Sequence, residues 1–282
     1  MLRLVCRSYR YPAAREPAVH DVAVEIRHGE IVGLTGPNEA GKSTLGLLAA
    51  GMAPTVVGGA FDGYLEVDGE RMTGRPGYEV AQRVGYVFQN PATQISQVSS
   101  TVFEEVALGP MNLGLDRAEI VARVEETLGR LAIDDLALRD PRRLSGGEAQ
   151  LVAIASLLAM HPAHLVLDEP TAQLDPAGTR LVGAALHALA ATGTALLVIE
   201  HKLDLLDGLC ERLLLMDHGT VVRDGPAETV FADRLLEALT ILPPSRIRIA
   251  RAARAAGVRF DEAAVVAALR PGPGGLDAEA GR

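Results

Sequence analysis

The sequence has little of what marks several protein classes. It contains no tryptophan, and aromatic residues make up only 4% of its 282 positions. Its two cysteines, Cys6 and Cys210, lie in apolar segments without metal-ligand spacing, so we expect buried core thiols in a reducing, cytosolic setting. Basic residues are also scarce, since 36 Asp and Glu outnumber 27 Lys and Arg and leave a formal charge of −9. Without a global basic field to attract nucleic acid or anionic lipid, we expect no nucleic-acid partner.

Long hydrophobic runs are absent as well. No segment approaches the roughly 20 apolar residues that a membrane-spanning helix needs, and LVLDE and ALLVIE have the length of buried strands. The first residues, MLRLVCRSYRYP, carry scattered arginines and lack the apolar block of a signal peptide. Because 48% of the residues are hydrophobic, the chain can build a large core. We therefore expect a soluble protein without a transmembrane segment, which leaves a membrane partner open.

Strand-like and helix-like segments alternate along the chain. LRLVCRSYRY and AVHDVAVEIRHGE alternate in the manner of strands, and GYLEVDGERM is typical of a hairpin with an Asp68-Gly69 turn. DRAEIVARVEETLGR has helical periodicity, with Asp116 as its predicted N-cap. HLVLDEP and TALLVIEH read as short buried strands with a helical segment between them. This alternation predicts an α/β fold with a parallel sheet.

A glycine-rich stretch, GPNEAGKS at residues 36–43, matches the pattern G-x-x-x-x-G-K-[ST] between a predicted strand and a predicted helix. In such a loop, backbone N–H groups and the helix N-terminus cradle phosphates, Lys42 reaches the β- and γ-phosphates, and the Ser43 hydroxyl binds Mg²⁺. Because the loop binds through main-chain groups, the Glu39 side chain can point to solvent. The predicted ATP-binding residues in this region are Gly36, Pro37, Asn38, Glu39, Ala40, Gly41, Lys42, Ser43 and Thr44.

A pair of carboxylates ends the apolar strand HLVLDEP. Asp168 is placed to hold Mg²⁺ directly or through water, and Glu169 is placed to polarise an attacking water. Alone, such a strand end is equally typical of a solvated surface. The phosphate loop earlier in the chain favours the nucleotide interpretation.

Between these two motifs lies LSGGE, residues 144–148, which mononucleotide kinases and small GTPases do not require. With this motif the sequence resembles the nucleotide-binding subunits of ABC ATPases. In that family the helix that begins here binds the γ-phosphate of ATP held by a second ATPase subunit. The resemblance therefore assigns Ser145, Gly146, Gly147 and Glu148 to ATP binding across a dimer, and a hydroxyl and amides at a positive helix end suit that role.

Four more positions match the motifs of that family in their usual order. Gln89 in VFQNP resembles the Q-loop glutamine, which contacts Mg²⁺, and Asp175 in AQLDP resembles the D-loop aspartate, which reaches across the dimer. His201 in VIEHKLD resembles the switch histidine that positions water, and Tyr11 in YRYP resembles the aromatic residue that stacks on adenine, with Tyr9 as a nearby alternative. The implied sites are a catalytic set, Lys42, Glu169 and His201, and a Mg²⁺ set, Ser43, Gln89 and Asp168.

Three positions depart from the family pattern. Glu148 stands where the family often has Gln, Leu151 where it often has Arg, and Gln173 where it usually has a small residue. All three belong to the surface that completes the second subunit's site. We therefore expect this chain's own ATP to be hydrolysed, while the site that it completes in the second subunit is less regular.

The segment VGYVFQNPATQISQVSSTVFEEVALGPMNLGL, residues 84–115, narrows the resemblance to the ATPases of energy-coupling-factor (ECF) transporters. In these importers two ATPase subunits, identical or homologous, bind a transmembrane scaffold subunit that carries a separate small substrate-binding membrane protein. The resemblance implies ATP-driven uptake of a vitamin or a transition-metal ion. It places the chain on the cytoplasmic face of the membrane as a peripheral subunit.

The same resemblance implies an organisation into domains. The expected fold is a P-loop NTPase of the ABC-ATPase type, with a mainly parallel sheet core, an antiparallel β subdomain and an α-helical subdomain. We expect the nucleotide-binding domain over residues 1–232, with the helical subdomain at about 90–160. A C-terminal helical dimerisation segment is expected over 233–270 and a disordered tail over 271–282.

Other functions stay open. An ATPase of another ABC transporter class would share these motifs. A soluble ABC ATPase in DNA repair or translation is less favoured, because the roughly hundred residues from Lys42 to Ser145 contain no heptad run and no basic patch. The intact Glu169 and His201 oppose a non-catalytic regulatory subunit. The remaining histidines, including His161 and His164, have no ligand-bearing neighbours in the sequence, so we expect packed or solvated side chains instead of a metal site.

Overall fold

The larger of two β-sheets has six strands in the order β10-β9-β3-β8-β7-β6. The computed structural model describes residues 1–191 and 193–257. The strands of this sheet are β3 (Ile31–Thr35), β6 (Val84–Val87), β7 (His164–Asp168), β8 (Ala195–Ile199), β9 (Arg212–Asp217) and β10 (Thr220–Pro226). All neighbours pair in parallel except β9 and β10. Strands β3, β6, β7 and β8 are buried at every residue, as expected for a sheet covered on both faces.

The smaller sheet is antiparallel, with the strand order β2-β1-β4-β5. Its strands are β1 (Leu2–Arg10), β2 (Val19–Ile26), β4 (Ala60–Val67) and β5 (Glu70–Arg71). Burial alternates along β2, because one face packs against the core and the other faces solvent. Asp68 and Gly69 both have positive φ between β4 and β5, which confirms the predicted hairpin turn.

Ten α-helices complete the described part of the chain. Asp116 accepts a hydrogen bond from the backbone N–H of Glu119 at 2.9 Å, which confirms it as the N-cap of α4. The helices are α1 (Lys42–Ala49), α2 (Gly77–Ala81), α3 (Val102–Asn112), α4 (Arg117–Arg130), α5 (Gly146–Leu158), α6 (Pro176–Ala191), α7 (Leu203–Leu206), α8 (Ala227–Ala232), α9 (Leu235–Ala238) and α10 (Ser245–Ala255). Short 3₁₀ turns lie at Pro91–Thr93, Asp134–Leu136 and Pro141–Arg143.

Two hydrophobic clusters hold these layers together. One packs α3, α4 and α5 against the parallel sheet through residues such as Val106, Leu128 and Leu151. Leu151 is fully buried in this cluster, so the expectation that it belongs to the surface facing a second subunit is wrong. The other lies between the two sheets and includes Leu45 and Leu48 of α1. Helix α1 therefore takes a fixed position beneath the antiparallel sheet, and with it the loop that precedes α1. Cys6 and Cys210 are both buried and free, as expected.

The C-terminal part of the described chain packs onto the region after β8. The backbone N–H and the hydroxyl of Ser245, at the start of α10, donate to Asp204 at 2.6 and 2.9 Å. Within the described ranges, no helix combines the length and apolarity that crossing a membrane requires. The expected domain boundaries remain predictions. The described residues reach position 257 of the 233–270 segment, and the tail over 271–282 lies outside them.

His161 is solvated and His164 is packed, as expected, but the neighbours of His164 are not apparent from the sequence. His164, the first residue of β7, lies beside His28 and Asp68, which are remote in sequence. The parallel sheet and the antiparallel sheet meet at this point, and sequence spacing does not reveal the contact.

Candidate active site

The phosphate-binding loop connects β3 to α1 in the predicted strand–loop–helix order. Gly41 has φ of 96°, and a Cβ atom there would lie 2.6 Å from the carbonyl oxygen of Ala18, so the turn requires glycine. Glu39 also has positive φ, and its side chain is exposed, as expected for a loop that binds through its main chain. Ala40 is buried behind the loop. One side of the loop therefore packs against the protein at Gly41 and Ala40, and the other side faces solvent.

Lys42 turns back into this loop. Its ammonium group donates to the carbonyl oxygens of Gly36 at 3.0 Å and Pro37 at 2.8 Å. Burial lowers the pKa of Lys42, while the nearby Glu169 and Asp168 favour its charged form. Among the described residues, the backbone N–H groups of Gly41, Lys42 and Ser43 have no hydrogen-bond partner. Unpaired amides beside a buried ammonium at a helix N-terminus fit the phosphates of a nucleotide.

Asp168 ends β7 directly opposite this loop. Its Oδ1 atom accepts a hydrogen bond from the Ser43 hydroxyl at 3.1 Å, and its Oδ2 atom accepts one from the Tyr86 hydroxyl at 2.7 Å. Asp168 is only 9% exposed, and burial raises the pKa of Tyr86. Tyr86 therefore remains a neutral donor that fixes the carboxylate. The oxygen donors of Ser43 and Asp168 suit Mg²⁺, which prefers oxygen ligands.

Glu169 follows in the left-handed region, with φ of 47°. Its backbone N–H donates to the Ile199 carbonyl at 2.9 Å, which ties the turn to β8. The Oε2 atom accepts a hydrogen bond from Gln89 Nε2 at 2.9 Å, and the Oε1 atom lies 2.8 Å from His201 Nε2. The ends of three neighbouring parallel strands thus bring Gln89, Glu169 and His201 together, at the carboxyl edge where such sheets bind ligands.

Two tyrosines near the loop have different environments. Tyr9 is fully buried, and its hydroxyl donates to the Gly58 carbonyl at 2.8 Å, so it is a core residue. Tyr11 is half-buried, and its hydroxyl lies 3.0 Å from the hydroxyl of Thr44 in the first turn of α1. The two rings meet edge to face at 5.1 Å. Of the pair, Tyr11 is the one whose ring is available to a nucleotide at this loop.

The LSGGE motif lies at the N-terminus of α5. The Ser145 hydroxyl accepts from the Glu148 N–H at 3.4 Å, and Glu148 Oε2 accepts from the Ser145 N–H at 2.7 Å, which forms a capping box. That backbone hydrogen bond is the main reason that the pKa of Glu148 is lowered, and Arg139 adds to the effect with a 2.7 Å ion pair. In the described structure no hydrogen bond joins this turn to the phosphate loop.

Asp175 lies beside the LSGGE motif, away from the phosphate loop. Its Oδ1 atom accepts from the Gly178 N–H at 2.7 Å, at the beginning of α6. Gly178 in turn contacts the LSGGE turn, because a Cβ atom on Gly147 would lie 2.8 Å from its Cα atom. The predicted residues therefore form two groups: one around Lys42 and Glu169, and one around Ser145 and Asp175.

Sequence reasoning missed the group behind His201. Glu200 is 1% exposed and accepts hydrogen bonds from the Thr171 N–H at 3.1 Å and hydroxyl at 2.7 Å, and from the His201 N–H at 3.2 Å. Burial raises the pKa of Glu200, although these hydrogen bonds act to lower it. Lys202 Nζ donates to the Thr171 carbonyl at 3.2 Å. The signal in the sequence was a carboxylate at the end of a buried strand, directly before His201, the predicted switch histidine.

Comparisons with known proteins agree with this geometry. The family model described as ABC transporter matches residues 19–172. A putative ABC transporter ATP-binding protein of Methanosarcina acetivorans is 43% identical over 89% of this chain. The chain spans between 35% and 42% of the length of the first curated relatives that it matches.

Two further proteins match over most of their length. The energy-coupling factor transporter ATP-binding protein EcfA of Methanosarcina acetivorans is 37% identical over 92% of this chain and 91% of that protein. The structure of cbiO1 from Clostridium perfringens, described as part of the ABC transporter complex cbiONQ, superposes with a TM-score of 0.74. It has 27% identity over 91% of this chain and 98% of that chain. The predicted family and fold class are confirmed: the chain belongs to the ABC transporter ATP-binding family and has the ABC ATPase cassette fold.

Proposed function

We propose that this chain is the ATP-hydrolysing subunit of an energy-coupling-factor importer. The observation that carries the proposal is the meeting of Lys42, Ser43, Asp168, Glu169 and His201 at the carboxyl edge of the parallel sheet. The names of the EcfA and cbiO1 relatives support the importer class. An ATPase of a different ABC transporter class is the alternative, and the set of membrane proteins that binds the chain separates the two.

Nucleotide binding follows from the loop. The free N–H groups at the start of α1 and the Lys42 ammonium hold the phosphates, and the exposed part of the Tyr11 ring stacks on adenine. Ser43 and Asp168 would hold Mg²⁺, with Gln89 approaching from β6. The ion supplies neutralising charge to the phosphate oxygens. Tyr86 keeps the Asp168 carboxylate turned toward the loop by its 2.7 Å hydrogen bond.

Hydrolysis requires a base and an orienting group beside the γ-phosphate. Glu169 lies next to the Mg²⁺-binding carboxylate, and one of its oxygens can accept the proton of the attacking water. His201, 2.8 Å from the other side of that carboxyl group, orients the water and the terminal phosphate. Gln89 contacts the same carboxylate and belongs to the segment 84–115. We propose that this segment faces the membrane partner, so Gln89 would connect that partner to the hydrolysis site.

The second group of residues serves another ATPase subunit. Ser145, Gly146, Gly147 and Glu148 present the N-terminus of α5, and Asp175 lies beside it. In a head-to-tail dimer, identical or homologous, this surface closes on the ATP of the opposite subunit, and hydrolysis releases the closure. The C-terminal dimerisation segment expected over 233–270, of which the described structure reaches residue 257, would add to the pairing of the two subunits.

The remaining partners are membrane proteins. A transmembrane scaffold binds the two ATPase subunits at the cytoplasmic face, and a small substrate-binding membrane protein delivers a vitamin or a transition-metal ion. The acidic chain takes no nucleic acid as a partner.

Phosphate release from ATP tests the enzymatic part of this proposal. The purified chain should release phosphate only with Mg²⁺, and Glu169→Gln should bind ATP while its rate falls at least about 100-fold. Glu125→Gln, on the exposed side of α4, is the matched control and should keep the full rate. A Glu169→Gln protein with the control's rate would overturn the assignment of the base.

A further inference from the structure

Three metal-ligating side chains converge at the edge of the molecule where the two sheets meet. His28 follows β2, Asp68 lies in the turn between β4 and β5, and His164 begins β7. His28 Nε2 lies 2.7 Å from Asp68 Oδ1, and the rings of His28 and His164 are 5.3 Å apart. One ligand atom from each of the three residues lies within 4.8 Å of the other two.

His164 is the residue that ordinary packing does not explain. It is only 2% exposed, and in the described part of the chain neither of its ring nitrogens has a hydrogen-bond partner. Buried polar atoms are nearly always paired, because an unpaired one has lost its water without compensation. Burial also lowers the pKa of His164 to about 4, with the Met1 amino group and His28 adding to the shift. A metal ion bound to this ring would supply the partner that a buried nitrogen lacks.

A surface ion pair between His28 and Asp68 explains those two side chains but leaves His164 unexplained. Asp68 and His28 are exposed, and the Met1 amino group contacts both of them. Such exposed pairs are common and need no ligand. They leave the buried nitrogens of His164 unexplained, although that ring points to the same place. A metal ion would account for all three side chains at once, and the Met1 amine would give way to it or join as a neutral fourth ligand.

We propose that His28, Asp68 and His164 form a binding site for a divalent first-row transition-metal ion. Two imidazoles and one carboxylate are a donor set that Zn²⁺, Co²⁺ and Ni²⁺ accept, whereas Mg²⁺ and Ca²⁺ prefer oxygen ligands. This site is separate from the nucleotide site, because His164 and Asp168 are at opposite ends of β7, about 13 Å apart at 3.3 Å per residue. The proposal does not rest on the proposed transport function.

The placement of the ligands predicts what the ion does. His28 and Asp68 lie in turns that follow strands of the antiparallel sheet, and His164 begins a strand of the parallel sheet, so a shared ion ties the two layers together. A metal ion that binds only the folded chain stabilises it, and the stabilisation grows with the logarithm of the metal concentration once that concentration exceeds the dissociation constant. The bound ion also holds the end of β7 that leads to the Mg²⁺ and water-activating carboxylates.

Zn²⁺ binding to the whole chain tests this proposal without reference to activity. The protein, free of tags and treated with chelator, is titrated with Zn²⁺ by calorimetry in excess Mg²⁺. His201→Ala is the common background, so that the histidine of the nucleotide site cannot contribute. We expect one equivalent of Zn²⁺ and a rise in melting temperature. Co²⁺ in place of Zn²⁺ should give the visible absorption of a site with nitrogen ligands.

Substitutions then locate the site. His28→Ala and Asp68→Asn alter exposed side chains, and each should weaken Zn²⁺ binding at least tenfold and remove the rise in melting temperature. His164→Leu should do the same if it folds, and the two exposed variants decide the question if it does not. His218→Ala, whose side chain is 95% exposed outside the cluster, should bind as the parent does. Absence of stoichiometric binding, or binding unchanged in His28→Ala and Asp68→Asn, would overturn the proposal.

Discussion

The Oε1 atom of Glu169 lies 2.8 Å from the Nε2 atom of His201. Gln89 holds the other carboxylate oxygen at 2.9 Å. The three side chains leave adjacent parallel strands, so the backbone of the sheet fixes their spacing. On the proposed function, this pair would hold a water molecule between the carboxylate and the terminal phosphate of ATP.

His201→Ala should leave nucleotide binding nearly intact and slow hydrolysis. In the proposed role the histidine orients water and phosphate but contributes little to the phosphate cradle, so we expect the single-turnover rate to fall about 100-fold. The affinity for a fluorescent ATP analogue should change less than about threefold, since the loop is untouched. His187→Ala, on an exposed face of α6, serves as the control. Equal losses of affinity and rate would show that His201 acts mainly in binding.

Tyr86→Phe should raise the Mg²⁺ concentration that hydrolysis requires. The change removes only the hydroxyl that donates to Asp168 Oδ2 at 2.7 Å, and loss of such an orienting partner typically costs 10- to 100-fold in metal affinity or activity. The measurement is the Mg²⁺ concentration that gives half-maximal phosphate release. Tyr78→Phe, an exposed tyrosine in α2, should reproduce the parent. A Mg²⁺ midpoint unmoved in Tyr86→Phe contradicts this role.

Gly147→Ala should destabilise the fold more than Gly146→Ala does. A Cβ atom on Gly147 would lie 2.8 Å from the Cα atom of Gly178, which is backbone and cannot rotate away. On Gly146 it would meet the Leu174 side chain at 3.2 Å, which can adjust. Both changes replace glycine by alanine in the first turn of α5, so the gain in helix propensity is the same in the two variants and does not affect the comparison. Urea unfolding should show a difference of about 1–3 kcal/mol. Equal free energies of unfolding would refute the close contact between α5 and α6.

Glu200→Gln should change how stability depends on pH. The pKa of Glu200 is raised by burial from its ordinary value of 4.5. As pH rises above 4.5, the unfolded chain loses this proton first, so the carboxyl group's contribution to stability declines until pH passes the folded-state pKa. Glutamine does not titrate. The stability of the parent relative to Glu200→Gln should therefore fall with rising pH, and urea midpoints from pH 4.5 to 8 measure it. A constant or rising difference would contradict the raised pKa.

Local sequence patterns were sufficient to predict the main strands and helices and the phosphate-binding loop of the site. The apolar runs that end in Thr35 and Asp168 are strands of the parallel sheet, and Asp116 caps the helix that it was expected to cap. These features depend on residues that are close in sequence, where capping, turn and periodicity rules apply. The phosphate loop is of the same kind, because its glycines and lysine lie within eight residues.

Contacts between remote strands could not be predicted in the same way. Tyr86 meets Asp168 because β6 pairs in parallel with β7, and nothing in either segment specifies that neighbour. Glu200 reaches Thr171 across the β7–β8 pair for the same reason. His164 meets Asp68 only because the two sheets come together at that edge. Each of these depends on tertiary packing, which a single sequence does not encode in its spacing.

Co-purification from membranes shows whether the chain is a subunit of an energy-coupling-factor importer. A tagged Glu169→Gln chain, held in its ATP state, is recovered from gently solubilised membranes of its own cells, and every protein bound to it is identified. An energy-coupling-factor ATPase should bring down a transmembrane scaffold protein together with a small substrate-binding membrane protein and, where the pair is not a homodimer, a second ATPase. Recovery of transmembrane proteins without a separate small substrate-binding membrane protein would indicate another ABC transporter class, and recovery of ribosomal or DNA-bound proteins without any membrane protein would contradict a transport function.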